Sequence, residues 1–394
     1  MESGEASMKK ELELYIHIPF CVKKCAYCDF LSAPAKKEAR ESYVRALIKE
    51  IDHYKKLSEF YTISTIFIGG GTPSLLEAEQ IVRVLNKINE TFTVAKNAEI
   101  SMEMNPGTLK PGALQGYKEA GVNRVSIGLQ SANEKELKLL GRIHTWEDFQ
   151  EAYEEARSVG FDNINVDLIS SIPGQTFSSW EETLKKVAAL SPEHISAYSL
   201  IIEEDTPFYE RYGEGKEGEK ELPEEETERA IYKGTKEILS EFGYERYEIS
   251  NYAREGYACR HNLGYWERKE YLGFGIGAAS LMEEVRWSNI RDIETYIKNA
   301  ENGCIEANQE AREVLTLQER IEEFLFLGLR KMEGISLKEY GDIFGKSIFD
   351  DYEKVIRKLE KEKLIKVENG RMFLMEKGID VSNYVFVEFM SSRT

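Results

Sequence analysis

With 394 residues, 42% of them hydrophobic, the chain can bury one large core and a smaller second domain. A formal net charge of −18 opposes any general attraction to phosphate backbones, so nucleic acid is excluded as a bulk partner. No run is long and apolar enough to cross a bilayer, the polar start Met1-Glu-Ser-Gly-Glu-Ala-Ser lacks a secretory h-region, and five cysteines make an odd count, so a reducing, cytoplasmic setting is expected.

The first expected element is a strand over 14–18, with Tyr15 and His17 on one face and Leu14, Ile16 and Ile18 on the other. It leads into Cys21-Val-Lys-Lys-Cys25-Ala-Tyr-Cys28, a C-x₃-C-x₂-C run with no fourth cysteine nearby. Three thiolates on a four-iron cluster would leave one iron with an open position, which is the mark of a reaction centre rather than a staple. Two other readings stay open on the residues. His17 allows a Cys₃His zinc site, although zinc ligands usually come as two separated knuckles. C-x₂-C also occurs in redox disulfides, although Cys21 and the preceding Ile18-Pro19-Phe20 do not fit a thioredoxin-like start.

Strand and helix then alternate. The spacing predicts a helix over 40–57, strand 65–68, helix 77–88, strand 99–104, helix 111–120, strand 124–129, helices 134–140 and 146–159, strand 163–169, helix 178–190 and strand 194–200. Lys36, Lys37 and Arg40 read as a solvated helix start. Six β-then-α units imply parallel strands with right-handed crossovers. Every strand end carries something polar or glycine-rich: the cysteines, Gly69-Gly70-Gly71-Thr72-Pro73, Glu103 with Asn105-Pro106, Gln130-Ser131, Asp167, and Tyr198-Ser199. Polar groups at all strand ends favour one barrel rim over a single switch point, hence an α/β partial (β/α)₆ barrel.

Beyond residue 200 the pattern changes. The acidic stretch 203–228 reads as a solvated excursion, followed by a helix over 224–242, an edge strand at 247–249 and a run dense in glycine and aromatics over 257–280. Helices over 316–329, 336–344 and 348–362 and strands over 365–368 and 372–375 give a winged-helix order. The charge balance argues against DNA as its ligand, and fold alone does not license one. The expected divisions are an extension 1–11, a barrel 12–240, a barrel-edge extension 241–312 and a C-terminal winged-helix-like domain 313–394.

The cysteine run, the triple glycine with Thr72-Pro73 and the strand-end polar set resemble the radical S-adenosylmethionine (SAM) superfamily. Tyr15-Ile-His-Ile-Pro-Phe-Cys21 is similar to the start of its oxygen-independent coproporphyrinogen III oxidase-like subfamily, and the resemblance covers nearly the whole chain. One branch of that subfamily is an oxidative decarboxylase of haem biosynthesis; the other is a haem chaperone. The decarboxylase pattern ends in C-x-C, where this chain has Phe30, and the segment before the cysteines is short. His261-Asn262-Leu263-Gly264-Tyr265-Trp266 matches the H-N-x-x-Y-W motif of the chaperone branch, which decides the assignment. The run 271–280 departs from the glycine-rich segment of the subfamily.

The resemblance implies a [4Fe-4S] cluster on Cys21, Cys25 and Cys28, with the SAM amino and carboxylate groups on the open iron. Gly70, Gly71 and Thr72 would pass close to the methionine end. Glu103 would meet its ammonium, Arg142 its carboxylate, and Gln130 and Asp167 the ribose hydroxyls. Carboxylates inside apolar strands are costly, which favours a ligand role for Glu103 and Asp167. Tyr15 and Tyr27 would flank the cluster and SAM. His261 would ligate haem iron, with Asn262 beside it and Tyr265 and Trp266 as faces for the porphyrin, Cys259 being the alternative ligand. The implied function is haem binding and transfer to acceptor haemoproteins through an exposed histidine; the alternative is coproporphyrinogen decarboxylation. A reductant such as flavodoxin or ferredoxin and a peripheral membrane contact are further partners compatible with the resemblance.

Overall fold

The structure is a computed structural model and describes residues 9–391. Six parallel strands form its body: β1 (Lys10–Ile18), β2 (Tyr61–Gly70), β3 (Thr93–Met104), β4 (Arg124–Gln130), β5 (Ile164–Ser170) and β6 (His194–Ser199). They lie side by side in chain order within one 12-stranded sheet. On the outer face run α1 (Lys37–His53), α2 (Ala78–Thr91), α3 (Ala113–Glu119), α5 (Trp146–Val159) and α6 (Phe177–Ala189), while α4 (Glu134–Leu140) lies beside the cysteine loop. The six strands expected from the sequence are all present.

Strand alternation explains the layering. In β1, Leu12, Leu14, Ile16 and Ile18 join the main core with Tyr43, Leu47 and Ile51 of α1 and Ile81, Leu85 and Ile88 of α2. The other phase of each strand faces inward. The parallel register sets Glu13 beside Thr65 and Glu99, Tyr15 beside Phe67, Ser101 and Arg124, and Gly69 beside Glu103, Ser126, Asn165 and His194. Polar rows thus line the concave side of an otherwise apolar sheet. Local signals fix the helices: a Thr145–Asp148 capping box starts α5, and Gly160 ends it in the left-handed conformation.

Both sheet edges are extended. β7 (Glu245–Arg246) and β8 (Asn251–Ala253) form an antiparallel hairpin beside β6, so the expected edge strand at 247–249 is the turn between them. The other edge carries β9 (Tyr271–Phe274), β10 (Ala279–Met282), β11 (Val285–Asn289) and β12 (Gln309–Val314), with β9 parallel to β1. The acidic stretch departs from expectation. It holds α7 (Pro207–Tyr212), whose Phe208 and Tyr212 are buried in a cluster with Leu140 and Ile172, against which Ala26 and Tyr27 pack. It covers the cysteine loop, because apolar residues within the charged sequence have a surface to bury.

After α8 (Glu225–Glu241), α9 (Arg260–Trp266) and α10 (Ile293–Glu301), the C-terminal domain runs α11 (Leu317–Gly328), β13 (Ile335–Ser336), α12 (Leu337–Phe344), α13 (Ile348–Lys361), β14 (Ile365–Glu368) and β15 (Arg371–Leu374). The strands form a three-stranded sheet over a separate core, the winged-helix order read from the sequence. No helix among the described residues is long and apolar enough to cross a membrane.

Candidate functional site

Two cavities meet inside the curved sheet. The outer one, about 420 Å³, is lined by Cys21, Cys25, Cys28 and the strand ends Gly70, Gly71, Thr72, Glu103, Gln130, Arg142 and Asp167. The inner one, about 590 Å³, lies deeper and is lined by Tyr15, His17, Phe67, Arg124, His261, Asn262 and Tyr265. Glu103, Ser126, Asp167, Tyr198 and Phe30 border both. The expected cluster, SAM and haem-contact residues line one or both cavities, except Trp266 and the alternative ligand Cys259.

The cysteine loop is held from several sides. Thr72 Oγ1 donates to Cys21 Sγ at 3.3 Å, and Arg142 Nη1 approaches Cys25 Sγ at 3.6 Å. Ala26 is fixed at both polar groups, its N–H to Leu140 O at 3.1 Å and its carbonyl accepting from Phe208 N–H at 3.0 Å. The thiols are free, and burial pushes Cys28 up to about 11, with Cys25 and Cys21 opposing its ionisation. No three His, Cys, Asp or Glu side chains among the described residues close around a single metal ion. Three soft thiolates spread along one loop beside a cavity do fit an iron–sulfur cluster, whose ligands sit on different irons.

Around this loop the strand ends differ in what they offer. Gly71 has no room for a Cβ, which would lie 2.8 Å from Phe20 O, and its N–H bonds Ile18 O at 2.8 Å. Gly70 has φ +111, and a Cβ there would meet the His17 ring at 2.5 Å. These glycines let β2 pass under the cysteine loop as well as open the cavity. The Glu103 carboxylate accepts the Gly70 N–H at 3.0 Å, and burial, followed by the nearby Asp167, pushes it up to about 8. Arg142 is partly committed, with Nη2 bonded to Gly128 O at 2.6 Å, while its Nε is buried without a partner. Asp167 accepts from Ser126 Oγ at 2.7 Å and Asn165 Nδ2 at 2.8 Å. Gln130 follows a bulge at φ +75, which turns it at the strand end. Tyr27 stacks edge-on against Phe208, and Tyr15 Oη meets His17 Nδ1 at 3.0 Å.

The His261 motif forms α9, which closes the floor of the inner cavity. His261 is only 1% exposed, against the exposed histidine expected from the sequence. Its Nδ1 lies 2.7 Å from Thr65 Oγ1, its Nε2 3.2 Å from Tyr265 Oη, and its ring stacks on Phe67. Burial, with Arg124 adding to it, lowers its pKa to about 3, so the ring is neutral. Glu99 pins the helix start, taking the N–H groups of Arg260 at 3.0 Å and His261 at 3.2 Å. Trp266 turns the other way and lies under the Arg330 guanidinium at 4.5 Å, joining the floor to the C-terminal domain. The sequence reading missed Glu13, Glu99, Arg124, Asn165 and His194; their phase within β1, β3, β4, β5 and β6 was the available signal.

Comparison with known proteins fits this geometry. A family model described as the radical SAM superfamily matches residues 15–187, and one described as the HemN C-terminal domain matches 315–381. Heme chaperone HemW of Lactococcus lactis is 34% identical over 97% of this chain and 98% of that protein. Heme chaperone HemW of Bacillus subtilis is 36% identical over 95% and 98%. Among solved structures, coproporphyrinogen III oxidase (HemN) from Escherichia coli, a radical SAM enzyme, superposes with TM-score 0.83 at 25% identity, covering 97% of this chain and 90% of that one.

Proposed function

The chain belongs to the heme chaperone HemW family of radical SAM proteins, and on that premise we propose that it takes up haem and hands it to acceptor haemoproteins. The observation that carries the reading is end-to-end similarity to the chaperones, 98% of the length of each of the two relatives above. A [4Fe-4S] cluster and SAM are expected of the family. Cys21, Cys25 and Cys28 would hold the cluster, and Gly70, Gly71, Thr72, Glu103, Gln130, Arg142 and Asp167 surround the adjoining space. When bound, the pair supplies reductive one-electron chemistry.

Haem is the cargo, and the geometry of His261 suits it. With its proton on Nδ1 and donated to Thr65 Oγ1, a neutral imidazole would present Nε2 as the coordinating nitrogen, the usual arrangement for an oriented metal ligand. Iron would replace the longer contact to Tyr265 Oη. Cys259 is the weaker alternative, because burial pushes its thiol up to about 12 and a thiolate there is disfavoured. Asn262 and Tyr265 would border the macrocycle, whereas Trp266 would steady the helix. Five free cysteines suit a reducing compartment such as the cytoplasm, and a protein reductant would serve the cluster.

The test is one anaerobically reconstituted sample given haem and, separately, coproporphyrinogen III. Expected are a stable Soret band that shifts or weakens in His261→Ala, and no vinyl-group formation with SAM and reductant present. The second reading, decarboxylation, rests on the fold shared with the oxidase. Turnover of coproporphyrinogen would establish it and remove the chaperone reading.

A further inference from the structure

A buried chain of hydrogen bonds runs from the motif helix to the outer cavity. Cys259, the residue capping α9, donates its N–H to Tyr247 Oη at 3.2 Å. Tyr247 Oη lies 2.8 Å from His194 Nε2, and His194 Nδ1 lies 2.6 Å from Asn165 Oδ1. Asn165 Nδ2 donates to Asp167 Oδ1 at 2.8 Å and to Ser126 Oγ at 2.6 Å. The Ser126 hydroxyl donates to Asp167 Oδ2 at 2.7 Å, so both carboxylate oxygens are gripped from below.

The direction of each link follows from the end point. Both carboxylate oxygens of Asp167 accept, so Asn165 turns its NH₂ to Asp167 and its Oδ1 toward His194. His194 must then carry its proton on Nδ1, leaving Nε2 to accept the Tyr247 hydroxyl, whose oxygen takes the Cys259 N–H. Burial keeps His194 neutral, its pKa held well below the ordinary value, as this pattern requires. His194 is 0% exposed, and Asn165 and Ser126 are buried beside it. In such surroundings a missing partner leaves a desolvated polar group behind, so the links support one another.

We propose that His194 and Tyr247 are positioning residues: they hold Asp167 in its ligand-accepting orientation and couple SAM binding to the state of the motif helix. This rests on the reading that Asp167 meets SAM and that α9 takes haem. A helix of seven residues pinned by Glu99 and Tyr247 cannot shift on ligating haem without altering the Cys259–Tyr247 contact. Coupling between two ligands is reciprocal, so haem would change SAM affinity by the factor by which SAM changes haem affinity.

The experiment is calorimetric SAM titration of the anaerobically reconstituted full chain, haem-free and haem-loaded. Variants are Tyr247→Phe, His194→Gln, Asp167→Asn and Tyr153→Phe; the Tyr153 hydroxyl bonds Leu190 O at 2.9 Å and Arg157 and makes no hydrogen bond to a member of the hydrogen-bonded chain. Tyr247→Phe is expected to weaken SAM binding about fivefold, the loss expected of one hydrogen bond. That loss should shrink in the Asp167→Asn background, and Tyr153→Phe should have no effect. Wild-type SAM affinity should differ between haem-free and haem-loaded protein by about fivefold or more, and less in Tyr247→Phe. Nitrogen NMR should show His194 neutral with its proton on Nδ1, and a shift of Nε2 when the Tyr247 hydroxyl is removed. Unchanged SAM affinity in Tyr247→Phe and His194→Gln at full cluster content would overturn the positioning role, as would an equal loss in Tyr153→Phe. Equal SAM affinity with and without haem would overturn the coupling. The underlying readings fail elsewhere: an unaffected Asp167→Asn removes Asp167 from SAM and the proposal with it, whereas absence of haem uptake removes the chaperone reading and leaves the SAM arm to stand or fall alone.

Discussion

Glu103 shows how one side chain can be prepared for a cation. Burial and, next, Asp167 push its pKa up to about 8, so at pH 7 it is mainly neutral. An ammonium placed beside it favours the charged form and lowers that pKa. SAM binding at pH 7 should therefore release a proton, and calorimetry in buffers of different ionisation enthalpy should read a release of about one proton that is absent in Glu103→Gln. Buffer-independent heats in the wild-type protein would place the ammonium elsewhere. The candidate role of Glu103 was legible from its strand-end position, but its charge state was not, because that depends on its burial and then on Asp167 from a different strand. His261 was legible as a residue from the H-N-x-x-Y-W motif. Its burial depends on Thr65, Phe67 and Tyr265 arriving from two directions, which no local pattern records.

At the level of elements, the six parallel strands were readable because each is an apolar run followed by an amphipathic helix. β9 to β12 were not. The turn between β10 and β11 is Glu283-Glu284, both left-handed at φ +49 and +63, where such hairpins usually show Asn-Gly. β12 is a mostly exposed, charged edge strand without alternation. The acidic stretch hid α7 because Phe208 and Tyr212 are sparse among charges. Two changes test these packing claims. Phe208→Ala should destabilise the chain by about 3 kcal/mol, as for a buried aromatic, and shorten the lifetime of the cluster in air; urea unfolding and loss of the iron–sulfur absorbance read these. Cluster lifetime equal to wild type would mean that α7 does not guard the loop. Gly264→Ala should also destabilise, although alanine in place of a helical glycine ordinarily stabilises by up to ~1 kcal/mol. The reason is the buried Glu13 carboxyl, into which the new Cβ would run. A raised urea midpoint in Gly264→Ala would show that the floor helix is free to move off β1.

Across the whole molecule, buried titratable groups pull stability in opposite directions with pH. His17, His144, His194 and His261 all have lowered pKa values, mainly through burial. The unfolded chain binds protons at these histidines first, so their contribution is full above the unfolded pKa near 6.5 and is lost as pH falls from there toward the lower folded values. Glu13 and Glu103 are raised to about 8, and Glu50 to about 6, again mainly by burial. The folded chain holds those protons longer, so their contribution is complete below the carboxylate value of 4.5 and is lost as pH rises toward 8. Between these limits the two slopes oppose each other. The cofactor-free protein should therefore be most stable at about pH 6 to 7, with an acid limb due to histidines and an alkaline limb due to glutamates. The limbs are separable. Glu13→Gln with Glu103→Gln should flatten the alkaline limb up to pH 8 and leave a fall that sets in below about pH 6.5, read as thermal midpoints across pH. An alkaline limb unchanged in the double variant would mean that both carboxyls ionise freely in the folded chain, and that the inner cavity is wetter than its burial implies.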